Sequence, residues 1–179
     1  EQTAETTKKK AKVVPIIIVL IGIVIVLGLI GNFIYKKIAE RAAEGILSGI
    51  TGGNVNLSGD KVSIKTEDGE LAFEEGGKIP DTFPKDFPVY PGSKVASSFT
   101  STGDNNSKGV SVLWETGDSL EEVGKFFETE LAKNEWKITA NFSSEDSITF
   151  TIEKGETGGV VGITPQDDKT AISVTLGVK

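Results

Sequence analysis

The chain contains no cysteine, no histidine and no methionine. Without cysteine there is neither a disulfide frame nor a thiolate nucleophile, and the redox compartment is left open. Without histidine the commonest acid/base group near neutral pH and the commonest metal ligand are both missing. Serine and threonine are plentiful, but no histidine and no convincing S-x-x-K stands ready to activate a hydroxyl. The lack of methionine carries the expectation that Glu1 is not the initiating residue, through processing or an omitted leader. These absences lead to a reading with no enzyme activity, no cofactor and no metal site.

Basic residues are outnumbered, 19 against 26, for a formal net charge of −7. Residues 1–12, "EQTAETTKKKAK", hold four of the lysines, so the remainder is more acidic still. An acidic surface neither releases the counterions of nucleic acid nor attracts anionic lipid, so no nucleic-acid partner is expected. The four early lysines read as flank anchors whose neighbours are lipid head groups.

Apolar content is concentrated in one place. "VVPIIIVLIGIVIVLGLIGNFIY", Val13 to Tyr35, runs without a charge, and at about 1.5 Å per residue it spans roughly 34 Å as a helix. The run is longer than the apolar core of a signal peptide and lacks an A-x-A-like site, so it reads as a retained transmembrane helix with the lipid bilayer as partner. Lysines flank both ends, and the large acidic remainder then lies outside the membrane. Gly22, Gly28 and Gly31 are candidates for a helix–helix interface through which copies self-associate.

Beyond the run, Ile34, Ile38, Ala42 and Ile46 recur at i+4 beside Tyr35, Ala39, Ala43 and Leu47, so an amphipathic stalk helix is expected over 36–53, stopped by "SGITGG". Alternation over 54–78 predicts a small β-meander in which Val62 and Ile64 face Leu71 and Phe73 across "EDG". Residues 93–179 read as an α+β unit. Its expected strands are Lys94–Thr100, Gly109–Thr116, Trp136–Phe142, Ser147–Glu153, Gly159–Thr164 and Thr170–Val178. Its helix opens at "DSLEE" with Ser119 and Glu122 at capping-box spacing and buries Leu120, Val123, Phe127 and Leu131. The expected fold class is therefore α+β: an N-terminal transmembrane and stalk helix, then an antiparallel sheet with one packed helix.

Between these units, residues 79–92 form a strap. "PDTFPKDFPVYPG" (80–92) holds four of the chain's six prolines. Phe83, Phe87 and Tyr90 each precede a proline, which favours extended backbone and leaves their rings little freedom to lose. Rings of this size bury about 150–250 Å² each, too much to leave wet in a connector, so the three are expected to pack on the chain's own domain.

Other patterns carry less. The acid pairs Glu74/Glu75, Glu145/Asp146 and Asp167/Asp168 fall at expected turns or strand ends, where acids are solvated. "DNNSKGVSVLWE" approaches a calcium loop but puts Lys108 where an oxygen ligand is required. "GETGGVVG" lacks the phosphate-binding lysine and opens a strand. "NLS", "NNS" and "NFS" match the N-glycosylation pattern.

The segments "FPKDFPVYPGSKV" (83–95) and "TGDSLEEVGKFFETELAKNEWKI" (116–138), followed by strands, resemble an uncharacterised family of bacterial membrane-anchored extracytoplasmic proteins. That family carries FP-x-D-x-P-x-YPG-x-K, D-S-x-E-E-V-x-x-F-Y and G-W-x-V. Here Phe127 stands in place of Tyr and Glu135 in place of Gly. The resemblance implies a fold and a compartment, not a catalytic residue. In outline the chain is also similar to a type IV pilin, with an apolar N-terminal helix, a β-rich head and Glu5 at a pilin-like position, although pilins are apolar from their first residue. The functional expectation is a single-pass membrane-anchored protein presenting a non-enzymatic extracytoplasmic domain to an unknown protein partner or to the cell envelope. The alternative is a subunit of a pilin-like surface filament.

Overall fold

The computed structural model describes residues 54–178 apart from Asp60, Glu67, Asp68 and 104–106. Its strands are β1 (Asn54–Ser58), β2 (Lys61–Thr66), β3 (Gly69–Glu75), β4 (Lys94–Gly103), β5 (Lys108–Thr116), β6 (Lys137–Ser143), β7 (Ile148–Lys154), β8 (Thr157–Gln166) and β9 (Lys169–Val178). Helix α1 (Leu120–Lys133) lies between β5 and β6.

All nine strands join one sheet in the order β1-β2-β3-β4-β5-β9-β8-β7-β6, with every pair antiparallel. This corrects the expected fold class. The described residues are mostly one nine-stranded antiparallel sheet with a single helix. No helix among them is long and apolar enough to cross a membrane. The meander joins the same sheet. Phe73 pairs with Phe99 and Glu74 with Ser98, so β3 continues the sheet edge to edge through β4. The physical reason is that β3 and β4 are long enough to complete each other's backbone hydrogen bonds, which a three-stranded meander leaves open on its last strand. The basic tail, the expected transmembrane and stalk helices, and Gly22, Gly28 and Gly31 lie outside the described residues.

Within the meander the expected register holds: Val62 pairs with Phe73 and Ile64 with Leu71. Because side chains alternate, the register also decides which face each arm of the sheet makes apolar. On β5, β9, β8 and β7 the face toward α1 carries Val112, Trp114, Ile172, Val174, Val161, Ile163, Phe150 and Ile152, all buried. The same face turns polar beyond β5, where Val112 neighbours Ser98, then Glu74, then Lys61. The arm β1–β4 is apolar on the opposite face, through Val55, Leu57, Val62, Ile64, Leu71, Phe73 and Phe99, all half-buried. A bulge between Val95 and Ser97 inserts one residue in β4 and brings Val95 onto the helix side with Ser98.

Helix α1 begins as its sequence directs. The Ser119 hydroxyl accepts from the Glu122 backbone N–H, and the Glu122 carboxylate accepts from the Ser119 N–H. Its buried face is Val123, Gly124, Phe127 and Leu131. At Gly124 helix and sheet approach closely, since a Cβ there would stand 2.5 Å from Ile148 Cδ1. The helix ends in a Schellman arrangement. The Trp136 N–H donates to Leu131 O and the Glu135 N–H to Ala132 O, while Leu131 and Trp136 are both buried. Glu135 occupies the left-handed position at φ 63°, where glycine is the usual residue.

Candidate functional site

The strap organises the helix side of the sheet. It is a series of turns. The Phe83 N–H donates to Pro80 O, the Phe87 N–H to Pro84 O and the Ser93 N–H to Tyr90 O. The four-residue repeat P-x-x-F thus builds two successive turns and aims both phenylalanines the same way. Phe83 and Phe87 are 5% and 4% exposed, against a free connector's expectation of near-complete exposure.

Their rings meet each other at 5.2 Å between centroids. Phe83 stands edge to face with Trp114 at 5.5 Å, and Phe87 with Trp136 at 5.3 Å. Phe87 also reaches Phe127 on α1 at 6.3 Å, and Tyr90 packs on Phe126 at 5.0 Å. The strap is therefore joined to the helix side of the sheet by a run of aromatic rings. The indole N–H groups of Trp114 and Trp136 have no acceptor among the described residues.

Polar contacts pin the strap at two points. At one, Lys154 on β7 bonds Asp86 and the Asn134 carbonyl, and stands 3.7 Å from Glu135. The Lys154 hydrogen bond holds the Asp86 carboxyl below its ordinary range, opposed by partial burial, and Asp86 in turn raises the Lys154 ammonium. At the other, the Tyr90 hydroxyl donates to Asp118 Oδ2 at 2.8 Å. Burial, then this hydrogen bond, pushes the phenol up to about 12. Asp118 is a hub, because its carbonyl accepts from the buried Thr170 hydroxyl and its N–H donates to Thr116 Oγ1.

Where the strap begins, it leaves a groove against the polar inner face of β2–β4. The groove has a volume of about 390 Å³. Lys61, Ala72, Phe73, Glu74, Ser98 and Thr100 line it from the sheet, and Lys78, Ile79, Pro80, Asp81 and Thr82 line it from the start of the strap. Lys61, Glu74 and Ser98 stand in one row across three strands, since Lys61 pairs with Glu74 and Glu74 with Ser98. Lys61 and Glu74 do not form an ion pair. The Glu74 carboxylate instead folds back over Gly77, where a Cβ would meet its Oε1 at 2.8 Å.

Sequence reasoning pointed to Phe83, Phe87 and Tyr90 in the strap but not to the groove; of the groove's residues it named Phe73 in the meander, Glu74 as half of an acid pair, and Pro80, Asp81 and Thr82 within the strap stretch. The signal was present in β2 and β3, whose alternation puts Lys61, Ser63, Ala72 and Glu74 on one face, but only the β3–β4 pairing shows that this face meets the strap. The other acid pairs stay apart: Glu75, Glu145, Asp146, Asp167 and Asp168 are exposed. No group of three or more potential metal ligands occurs among the described residues.

A family model described as START domain-like matches residues 95–170, less than half of the chain. The matched segment runs from β4 through α1 to the start of β9, the helix-bearing part of the sheet. The match is not to the membrane-anchored family that the strap and helix segments resemble, and the pilin outline gains no support from it. No curated protein and no solved structure matches the chain.

Proposed function

We propose that residues 54–178 form a non-enzymatic ligand-binding domain, which the apolar 13–35 segment tethers at a membrane with the domain on its outer side. The groove beside the strap carries this reading. It is a half-open groove of about 390 Å³, within the roughly 300–1,000 Å³ of small-molecule sites, and it gathers charged and hydroxyl side chains on one face of the sheet. The START domain-like match over the helix-bearing part supports binding over catalysis. Chemistry agrees, since a chain without histidine or cysteine offers no ready nucleophile–base pair. Tethering rests on the sequence alone, where the uncharged apolar run is long enough for a bilayer of about 30 Å.

A thermal-shift screen of the full-length chain against a small-molecule library tests the binding claim. A ligand should raise the melting temperature of the wild type and raise that of the Lys61→Ala and Thr100→Val variants much less. Equal shifts in all three would place binding elsewhere. Turnover of a library compound, lost on changing Glu74/Glu75, would contradict the non-enzymatic reading.

A further inference from the structure

Resting on the ligand-binding reading, we propose that the groove takes a small zwitterion of the amino-acid class, with its carboxylate toward the lysines and its ammonium toward the acids. The argument starts from charge. Two cations, Lys61 and Lys78, and two anions, Glu74 and Asp81, line the same space. Among the described residues none of these four makes an ion pair. The lining is thus neutral in sum and carries charges of both signs. A simple anion meets two carboxylates there and a simple cation meets two ammoniums, whereas a ligand carrying both charges satisfies both sets.

The geometry has the scale of such a ligand. Lys61 and Glu74 are directly opposed on adjacent strands, and with the Glu74 carboxylate turned over Gly77 their charged groups stand apart with room for a small ligand between them. Ser98, next in the same row and only 6% exposed, adds a hydroxyl at the inner end. Ser98 neighbours Glu74, not Lys61, so its hydroxyl oxygen can join the Glu74 carboxylate in accepting from the ligand's ammonium. Ile79 and Pro80 on the wall leave an apolar contact for a side chain.

The probes are the twenty free amino acids, titrated singly into the full-length chain by calorimetry, with two analogues of each binder: the amine lacking the carboxylate and the acid lacking the ammonium. At least one amino acid is expected to bind, both analogues at least tenfold more weakly. Lys61→Ala and Glu74→Gln should each cost tenfold or more, with melting temperature close to wild type because both side chains lie outside the core. Analogues that bind as tightly as the amino acid would overturn the zwitterion assignment, as would binding unaffected by both substitutions. If glucose or palmitate binds in a Lys61-dependent way and no amino acid does, the zwitterion falls while a ligand-binding domain stands. Silence toward every probe would overturn both.

Discussion

Phe83 and Phe87 are the residues on which the strap depends. Each is buried among aromatic rings, so truncation leaves a cavity as well as losing transfer free energy. Phe83→Ala or Phe87→Ala should cost about 3–5 kcal/mol in chemical denaturation, and a loss below about 1 kcal/mol would remove the strap from the core. Tyr90 offers an optical check. With the Tyr35→Phe change leaving it as the sole tyrosine, its phenol should titrate near pH 12, and Asp118→Ala should move the midpoint down while burial keeps it above 10. The sign for stability follows. The folded state keeps this proton after the unfolded chain has begun to lose it near 10, so the contribution of Tyr90 is complete below pH 10 and is lost as pH rises toward 12. Asp86 acts in the other direction. Its folded carboxyl is held low by Lys154, so its contribution is present above the ordinary value of 3.8 and is lost on further acidification. Glu135 is a local cost, a non-glycine side chain at φ 63°. Glu135→Gly should stabilise by about 1 kcal/mol, because relief of the left-handed conformation outweighs a highly exposed contact with Lys154.

Helix α1 shows how much one element can declare in advance. Ser119, Glu122 and the spacing of Val123, Phe127 and Leu131 were legible, because capping and helical periodicity are local. Removing the cap with Ser119→Ala should lower stability by about 1 kcal/mol, measured by urea unfolding, and no change would mean that the Glu122 carboxylate alone holds the helix start. The strands were legible for the same reason, with bounds displaced by a few residues where bulges and turns intervene. The strap was harder. Pro80 and Pro84 each supply a carbonyl that closes a turn onto a phenylalanine. Residue-by-residue preference at the positions before proline did not reveal that turn. The four-residue spacing of proline and phenylalanine did, once both rings were known to point inward.

At the scale of the whole described domain, the deciding fact was not written locally. Whether 54–75 forms its own layer or extends the sheet depends on the pairing of β3 with β4 across the strap, and neither strand's own pattern states its partner. That pairing explains why the sheet changes its apolar side at β4, and why a polar face lies beside the aromatic core instead of in bulk solvent. The groove arises at this change of side, which is why no motif announced it. The arrangement also predicts a gradient of local stability. Amides of β5, β9 and β8, paired on both sides and covered by α1 and the strap, should exchange slowest, and those of β1 and β2 fastest. Uniform protection across the sheet would contradict an arm that lies outside the main core.

The central claim is that this domain binds a small molecule in the groove between strap and sheet. The most direct measurement is a nitrogen–proton correlation spectrum of the full-length chain, recorded with and without a compound from the binding screen. Shifts centred on Lys61, Glu74, Lys78, Ser98 and Thr100 are the predicted result. Shifts confined to the opposite, apolar face of β1–β4, or confined to α1, would contradict it.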